Sequence, residues 1–489
     1  MTSTTDGQLD LGHATAIEGS APPQPYQLPT HHLVTHAVVV GMTGSGKTGL
    51  LTVMVEEAIG EAVPVLVIDV KGDLPNLLLA FPSLGPGPMR AWAESTRGPT
   101  DTRSVEEIAT ALSDKRRRSL AAWGIGEDQL RAWHERTAIR VLTPGSTAGE
   151  PLHLLSSLER RSSRWDHDLE SARATLSAAI SLVLRLLGRD PDPAKSREHV
   201  LLSVLAERRL IAGETAELGA LLADVLEPPV ETMGALPLDE FVSKSDRKAL
   251  AAALNTLLAS PTFASWRTGA TLDIGEWLTP RDGRTPAVIV SVAHLDDEER
   301  ALVLGVLFEE VLSWVRTLQG SQRLRALIVF DEVYGFLPPH PANPPTKRPI
   351  VALMKQARAF GVGVVIATQN PMDLDYRALS NAGLWCIGRL QTDADRERVV
   401  DGLSTSGAVG DARIFGKLVQ RLRERWFVVR NVYAEGAPVL MQPRWAMSLM
   451  RGPMTRTELQ AACAARDAER SAVKARDGDG GGTGSSADE

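Results

Sequence analysis

The chain has 489 residues, 43% hydrophobic and 23% charged, enough to bury a sizeable core as one large domain with insertions or two to three average ones. A net charge of −7 argues against a surface that coats itself broadly onto nucleic acid, so any such contact has to be local. Two cysteines, Cys386 and Cys463, exclude a disulfide framework and offer no zinc spacing.

The start, MTSTTDGQLDLG, lacks the basic residues and apolar stretch of a secretory signal, and no run reaches about 18 apolar residues. A cytoplasmic location without a membrane span is expected. Residues 1–30 are polar and Pro-rich and read as an extended arm or a degenerate small β element. Leu33–Val40 (LVTHAVVV) reads as a buried strand, followed by a Gly-rich loop, a helix from Lys47 to about Ile59, and a second strand at Pro64–Val70. Strand, loop, helix and strand make a βαβ unit and hence a parallel sheet, so 31–83 is taken as the first part of an α/β core. Residues 84–286 are expected to be a mostly helical insertion, with a strand at Ala138–Leu142 and breaks at DPDPAK and EPPV. The core resumes over 287–457. Its strands are expected at Ala287–Ala293, Ala326–Phe330, Val362–Thr368 and Leu384–Gly388, with a last one at Arg425–Val432. Helices are expected near 296–318, 348–360 and 393–403. Residues 458–489 read as a helix end and a disordered Gly/Ser-rich tail. The expected fold class is α/β: a mostly parallel sheet with an α-helical insertion.

The segment GMTGSGKT, Gly41–Thr48, fits the P-loop pattern G-x-x-x-x-G-K-[ST] in its expected context, after an apolar strand and before a helix. Gly41, Gly44 and Gly46 let the backbone turn so that the N–H groups around Thr43, Ser45 and Gly49 point at phosphate oxygens, and the helix adds its positive end. Lys47 reaches the β- and γ-phosphates of ATP. Thr48 offers a hard oxygen to Mg²⁺. Downstream, the apolar strand ALIVF ends in Asp331 and Glu332. Asp331 is expected to hold the magnesium and Glu332 to position the attacking water, since phosphoryl transfer asks mainly for positioning and charge stabilisation.

Gln369 ends the strand VGVVIAT, where an amide suits a sensor of hydrolysis; a strand-end cap is the plainer alternative. Arg389 follows LWCIG and is placed to act on a neighbouring subunit's nucleotide, against the alternative of a solvated or salt-bridged arginine. Asp69 orients water or metal, or serves a structural hydrogen bond. The run Lys115–Arg118 reads as a solvated helix face, and the Pro-rich loop Tyr334–Pro349, with Lys347 and Arg348, as rigid packing or a pore contact.

Taken in order, THAVVVGMTGSGKTGL, VIDVKGDL, LIVFDEV and VIATQNP resemble the HerA/FtsK branch of the P-loop ATPases, and longer stretches such as MKQARAFGVGVVIATQNPMDLDYRALSNAGLWCIGRLQTDADR resemble a bacterial HerA-like subgroup. The resemblance covers residues 30–457. It implies a RecA-like P-loop NTPase core with an α-helical insertion, in a hexameric homo-oligomeric ring with ATP between subunits. It also implies translocation of double-stranded DNA, often beside a nuclease. Lys47 and Thr48, Asp331 and Glu332, and Gln369 match the family's Walker A, Walker B and sensor positions. Arg389 matches its trans-acting arginine, and Arg358 a basic position of open role. HerA-type proteins carry an amino-terminal β-barrel, whereas about 36 residues precede the first core strand here, too few for one. The expected function is therefore a Mg-ATP-driven DNA translocase, with a secretion-type ATPase that powers a protein complex as the alternative.

Overall fold

The computed structural model describes residues 7–18, 22–98, 100–159, 161–371, 374–375, 380–390, 392, 394–395, 412–434 and 437–479. In chain order its strands are β1 (Gln8–Ala16), β2 (Gln24–Pro29), β3 (Ala37–Val40), β4 (Val65–Asp69), β5 (Thr137–Pro144), β6 (Glu150–His153), β7 (Thr232–Met233), β8 (Leu236–Pro237), β9 (Ala270–Thr271), β10 (Thr285–Ser291), β11 (Ser321–Phe330), β12 (Phe360–Thr368), β13 (Leu384–Ile387), β14 (Phe427–Asn431) and β15 (Val439–Pro443). Thirteen of them form one sheet in the order β2-β1-β15-β14-β13-β3-β12-β11-β4-β10-β5-β6-β9, and β7 pairs with β8. Every pairing from β13 across to β9 is parallel. The four strands beyond β13 add on antiparallel. This is the α/β, mostly parallel architecture expected from the sequence.

The apolar runs explain the middle of the sheet. β3, β4, β10 and β13 are buried along their whole length, as strands covered on both faces must be. Alternate side chains split between two cores. Val38, Val40, Leu66, Ile68, Val288, Val290, Ile328 and Phe330 point to one face, under the helices Leu169–Leu186, Arg197–Ile211 and Asp297–Thr317. Ala37, Val39, Val65, Val67, Ala287, Ile289, Leu327 and Val329 point to the other, against helix α1 (Lys47–Gly60).

Several elements differ from the sequence reading. Leu33–Val40 is not one strand: Thr30–Thr35 is a 3₁₀ turn, and the strand starts at Ala37. The break is His36, at φ 65°, whose Nδ1 accepts from Val364 N–H at 3.1 Å. Within 84–286 the strand expected at Ala138–Leu142 is present as β5, directly beside β10, and β6 and β9, not expected, also join the main sheet. β1 and β2 form the sheet edge, β1 pairing with β15 and β2 with β1. The helix expected at 393–403 and the tail from residue 480 fall largely or wholly outside the described residues.

Candidate nucleotide-binding site

Parallel strands bring their carboxyl ends to one edge. In register, Val40 of β3 lies beside Thr368 of β12 and Ile387 of β13, and Phe330 of β11 lies between Ile366 and Ile68. The residues that follow these strands, Gly41, Gly388–Arg389, Gln369, Asp331–Glu332 and Asp69–Lys71, therefore converge where ligands bind in open α/β sheets.

The loop Gly41–Gly46 closes tightly onto α1. Gly44 and Gly46 have φ of 77° and 97°, in the left-handed region that favours glycine. A Cβ at Gly41 would lie 2.6 Å from Ser45 Oγ, which is buried and without a hydrogen-bond partner. Gly49, by contrast, faces open space, so packing does not demand glycine there. Lys47 opens α1 and folds back over the loop, its Nζ donating to Gly41 O at 2.7 Å and Met42 O at 3.4 Å. Burial pulls its pKa below the ordinary lysine value, and the charges of Glu332 and Asp331 oppose that.

Asp331 is 1% exposed. Burial, reinforced by Glu332, pushes its carboxyl up to about 7. Oδ2 accepts from Thr48 Oγ1 at 3.4 Å, while Oδ1 is buried with no partner. A buried carboxylate oxygen left unpaired beside a hydroxyl is a donor set that fits a hard divalent cation.

Glu332 has φ 58°, rare for a residue with a long side chain. Its Oε1 accepts from Gln369 Nε2 at 2.7 Å and Lys71 Nζ at 2.8 Å, with Lys47 Nζ 3.7 Å away. Gln369 Oε1 in turn accepts from Thr43 Oγ1. One polar chain thus runs from the P-loop through Gln369 to Glu332 and ends on Lys71.

Asp69 has both oxygens engaged, Oδ2 by Ser291 Oγ at 2.8 Å and Oδ1 by Gly72 N–H at 2.9 Å. It is fully buried, which raises its pKa to about 6, and its contacts shape the turn that carries Lys71. Arg389 lies against its own P-loop: its carbonyl accepts from Met42 N–H at 2.8 Å, and its Nε sits 3.2 Å from Met42 Sδ. Arg358 is exposed at the amino-terminal end of β12, the opposite edge from Gln369.

The basic candidates outside the site are structural in large part. Lys347 is buried in an ion pair with Asp375 at 3.2 Å and donates to Ala342 O at 2.9 Å, so it is not free to line a pore. Arg348 is exposed and 3.3 Å from Glu309. Within the run expected to be a solvated face, Arg116 is buried, and its two terminal nitrogens donate to the carbonyls of Ser83, Phe81 and Met447, each at 2.9 Å.

Sequence reasoning missed two residues. Lys71 stood in view after β4, but nothing in its spacing revealed a carboxylate partner far along the chain. Arg425 gave no signal at all among neighbouring arginines. Its N–H donates to Ser45 O at 2.9 Å, its guanidinium lies 3.4 Å over the Trp445 ring, and its backbone abuts Gly46.

A family model described as "Helicase HerA, central domain" matches residues 15–174. That span holds the P-loop and the strands from β2 to β6 and stops short of Asp331. The DNA double-strand break repair helicase HerA of Saccharolobus solfataricus is 27% identical over 146 residues, which cover 27% of this chain and 29% of that protein. The aligned part is thus under a third of the relative's length. Among solved structures, VirB4 of Thermoanaerobacter pseudethanolicus aligns over 91% of this chain and 97% of its own at 11% identity, with a TM-score of 0.51, which shows the same overall fold. The bacterial conjugative coupling protein TrwB aligns over 94% of this chain and 100% of its own, at 13% identity and a TM-score of 0.47.

Proposed function

We propose that this chain, related to the HerA/FtsK-type P-loop ATPases by the match of residues 15–174 and by fold, hydrolyses ATP with magnesium as one subunit of a homo-oligomeric ring, and that the ring translocates double-stranded DNA. The observation that carries the reading is the meeting at one sheet edge of a phosphate-binding loop, a buried Asp331 oxygen without a partner, and the Glu332–Gln369 pair. A hexamer and a separate nuclease partner are parts of the same proposal.

The P-loop N–H groups and the start of α1 bind the phosphates, and Lys47 exchanges its carbonyl contacts for phosphate oxygens. Thr48 and Asp331 would hold the magnesium, which supplies neutralising charge on the phosphates. Glu332 orients the attacking water and draws on its proton. Gln369 touches both the loop, through Thr43, and Glu332, so a change at the γ-phosphate reaches the carboxylate through a single amide. Arg389 places a fixed positive charge beside the loop.

The test is steady-state ATP turnover with magnesium, with and without long double-stranded DNA, at protein concentrations that favour assembly. DNA is expected to accelerate turnover, and Glu332→Gln to abolish the effect. Glu332-dependent turnover that ignores DNA removes the translocase and points to an ATPase that powers a protein complex. No turnover in any condition removes the ATPase reading itself.

A further inference from the structure

Beyond β4, away from the P-loop, the carboxyl edge of the sheet opens into a second cavity of about 470 Å³ between the ends of β4, β10 and β5. Lys71, Ser146, Ser291, His294, Thr455 and Arg456 are among its lining residues. The described lining contains no carboxylate, although the chain carries 60 acidic residues and a net charge of −7. The helix Arg456–Asp479 begins at this cavity and adds the positive end of its dipole. Arg456 is exposed, its NH2 donating to Thr147 Oγ1 at 3.0 Å, and His294 Nε2 meets Pro144 O at 2.8 Å. Glu458, the nearest acid on that helix, is engaged by Arg451 and by the backbone and hydroxyl of Thr455.

Lys71 belongs to both cavities. Its side chain is 40% exposed and lines the second one, yet its Nζ is 2.8 Å from Glu332 Oε1 in the first. The turn beneath it is fixed: Gly72 N–H donates to Asp69, and Gly72 O accepts from Met454 N–H at 3.1 Å. Only the flexible lysine stem is left to move. While its ammonium holds Oε1, that oxygen is less available to accept the proton of an attacking water.

We propose that the second cavity binds a phosphate group and that its occupant draws Lys71 off Glu332. Lys71 is then a positioning residue that restrains the carboxylate until an anion arrives. The proposal rests on the ATPase reading above and names the means by which a phosphate-bearing ligand speeds turnover. The phosphate belongs either to a DNA backbone or to a small free anion, and the two sources are separable.

The full chain is assayed at saturating ATP with a duplex oligonucleotide in one arm and added inorganic phosphate in the other. Inorganic phosphate acting at the P-loop slows turnover, so acceleration marks the second cavity. Lys71→Met is expected to raise basal kcat several-fold with KM for ATP little changed, and to lose the response to whichever anion accelerates the wild type. Lys71→Arg is the conservative rescue: relative to Lys71→Met it lowers the basal rate and recovers the anion response. Arg456→Glu leaves the basal rate low and demands several-fold more anion. Turnover that falls in Lys71→Met, an anion response that survives in it, or a wild type that ignores both anions overturns the proposal. Wild-type turnover abolished by Glu332→Gln secures the ATPase reading independently of every Lys71 result.

Discussion

Glu332 occupies a left-handed backbone position, φ 58°, two residues past the buried carboxyl end of β11. Non-glycine residues in this region cost about 1–3 kcal/mol and persist where the surroundings hold them. Here the restraint comes from Gln369 and Lys71 on the same oxygen. Glu332→Gln keeps the shape and removes the proposed base, so kcat is expected to fall about 10²–10⁴-fold while ATP binding, followed by equilibrium titration, stays close to wild type. His36 governs a different property. It is 1% exposed, and burial lowers its pKa from 6.5 to about 4. Between these values the unfolded chain binds a proton that the folded chain refuses, so stability is complete above about 6.5 and falls as pH drops toward 4. The contribution is on the order of 3 kcal/mol. His36→Asn tolerates the positive φ and is expected to flatten the stability slope over that window in denaturant titrations. An unchanged slope removes His36 as its source.

At the level of elements, the P-loop helix is tied to the far end of the chain. Glu56 on α1 is fully buried and receives Arg444 NH1 and Met447 N–H on Oε2, and Ser448 N–H and Oγ on Oε1, all at 2.8–2.9 Å. Arg444 also grips Glu57 at 2.7 Å, whose other oxygen takes Asp10 N–H from β1. Arg444→Ala leaves Glu56 buried without its cation and is expected to destabilise the fold by about 3–5 kcal/mol, read as a lower denaturation midpoint at unchanged m-value. A loss below about 1 kcal/mol means that water replaces the guanidinium. These ties also mark where the sequence was readable. β3, β4, β10, β11, β12 and β13 announced themselves as short apolar runs, because strands buried on both faces need unbroken hydrophobicity, and the P-loop and Asp331–Glu332 were legible because local spacing defines them. β15 carries a mixed, edge-strand sequence that no local pattern revealed, while for β1 and β2 the polar, Pro-rich stretch left an extended arm and a small β element both open, because their pairing is long-range. Arg116, Lys347 and Arg425 were opaque for a related reason. A basic side chain looks solvated in sequence until a fold supplies the carbonyls or the carboxylate that bury it.

At the level of the whole molecule, the proposed ring can be tested through the nucleotide that Arg389 serves. The family resemblance implies that it reaches the neighbouring subunit's site, whereas within the chain its Nε lies 3.2 Å from Met42 of its own P-loop. The two arrangements predict different behaviour in mixtures. Lys47→Ala removes the phosphate contact but leaves Arg389 in place, and Arg389→Ala leaves the P-loop intact. If the arginine acts across the interface, equal mixing of the two inactive proteins rebuilds working sites wherever an intact P-loop meets a neighbour that retains Arg389, and turnover returns. If it acts within its own subunit, every site in the mixture lacks one of the two residues, and turnover stays at the level of the separate variants. The observed geometry favours the second result. Wild-type specific activity that nevertheless rises with protein concentration then points to some other contribution from a neighbouring subunit.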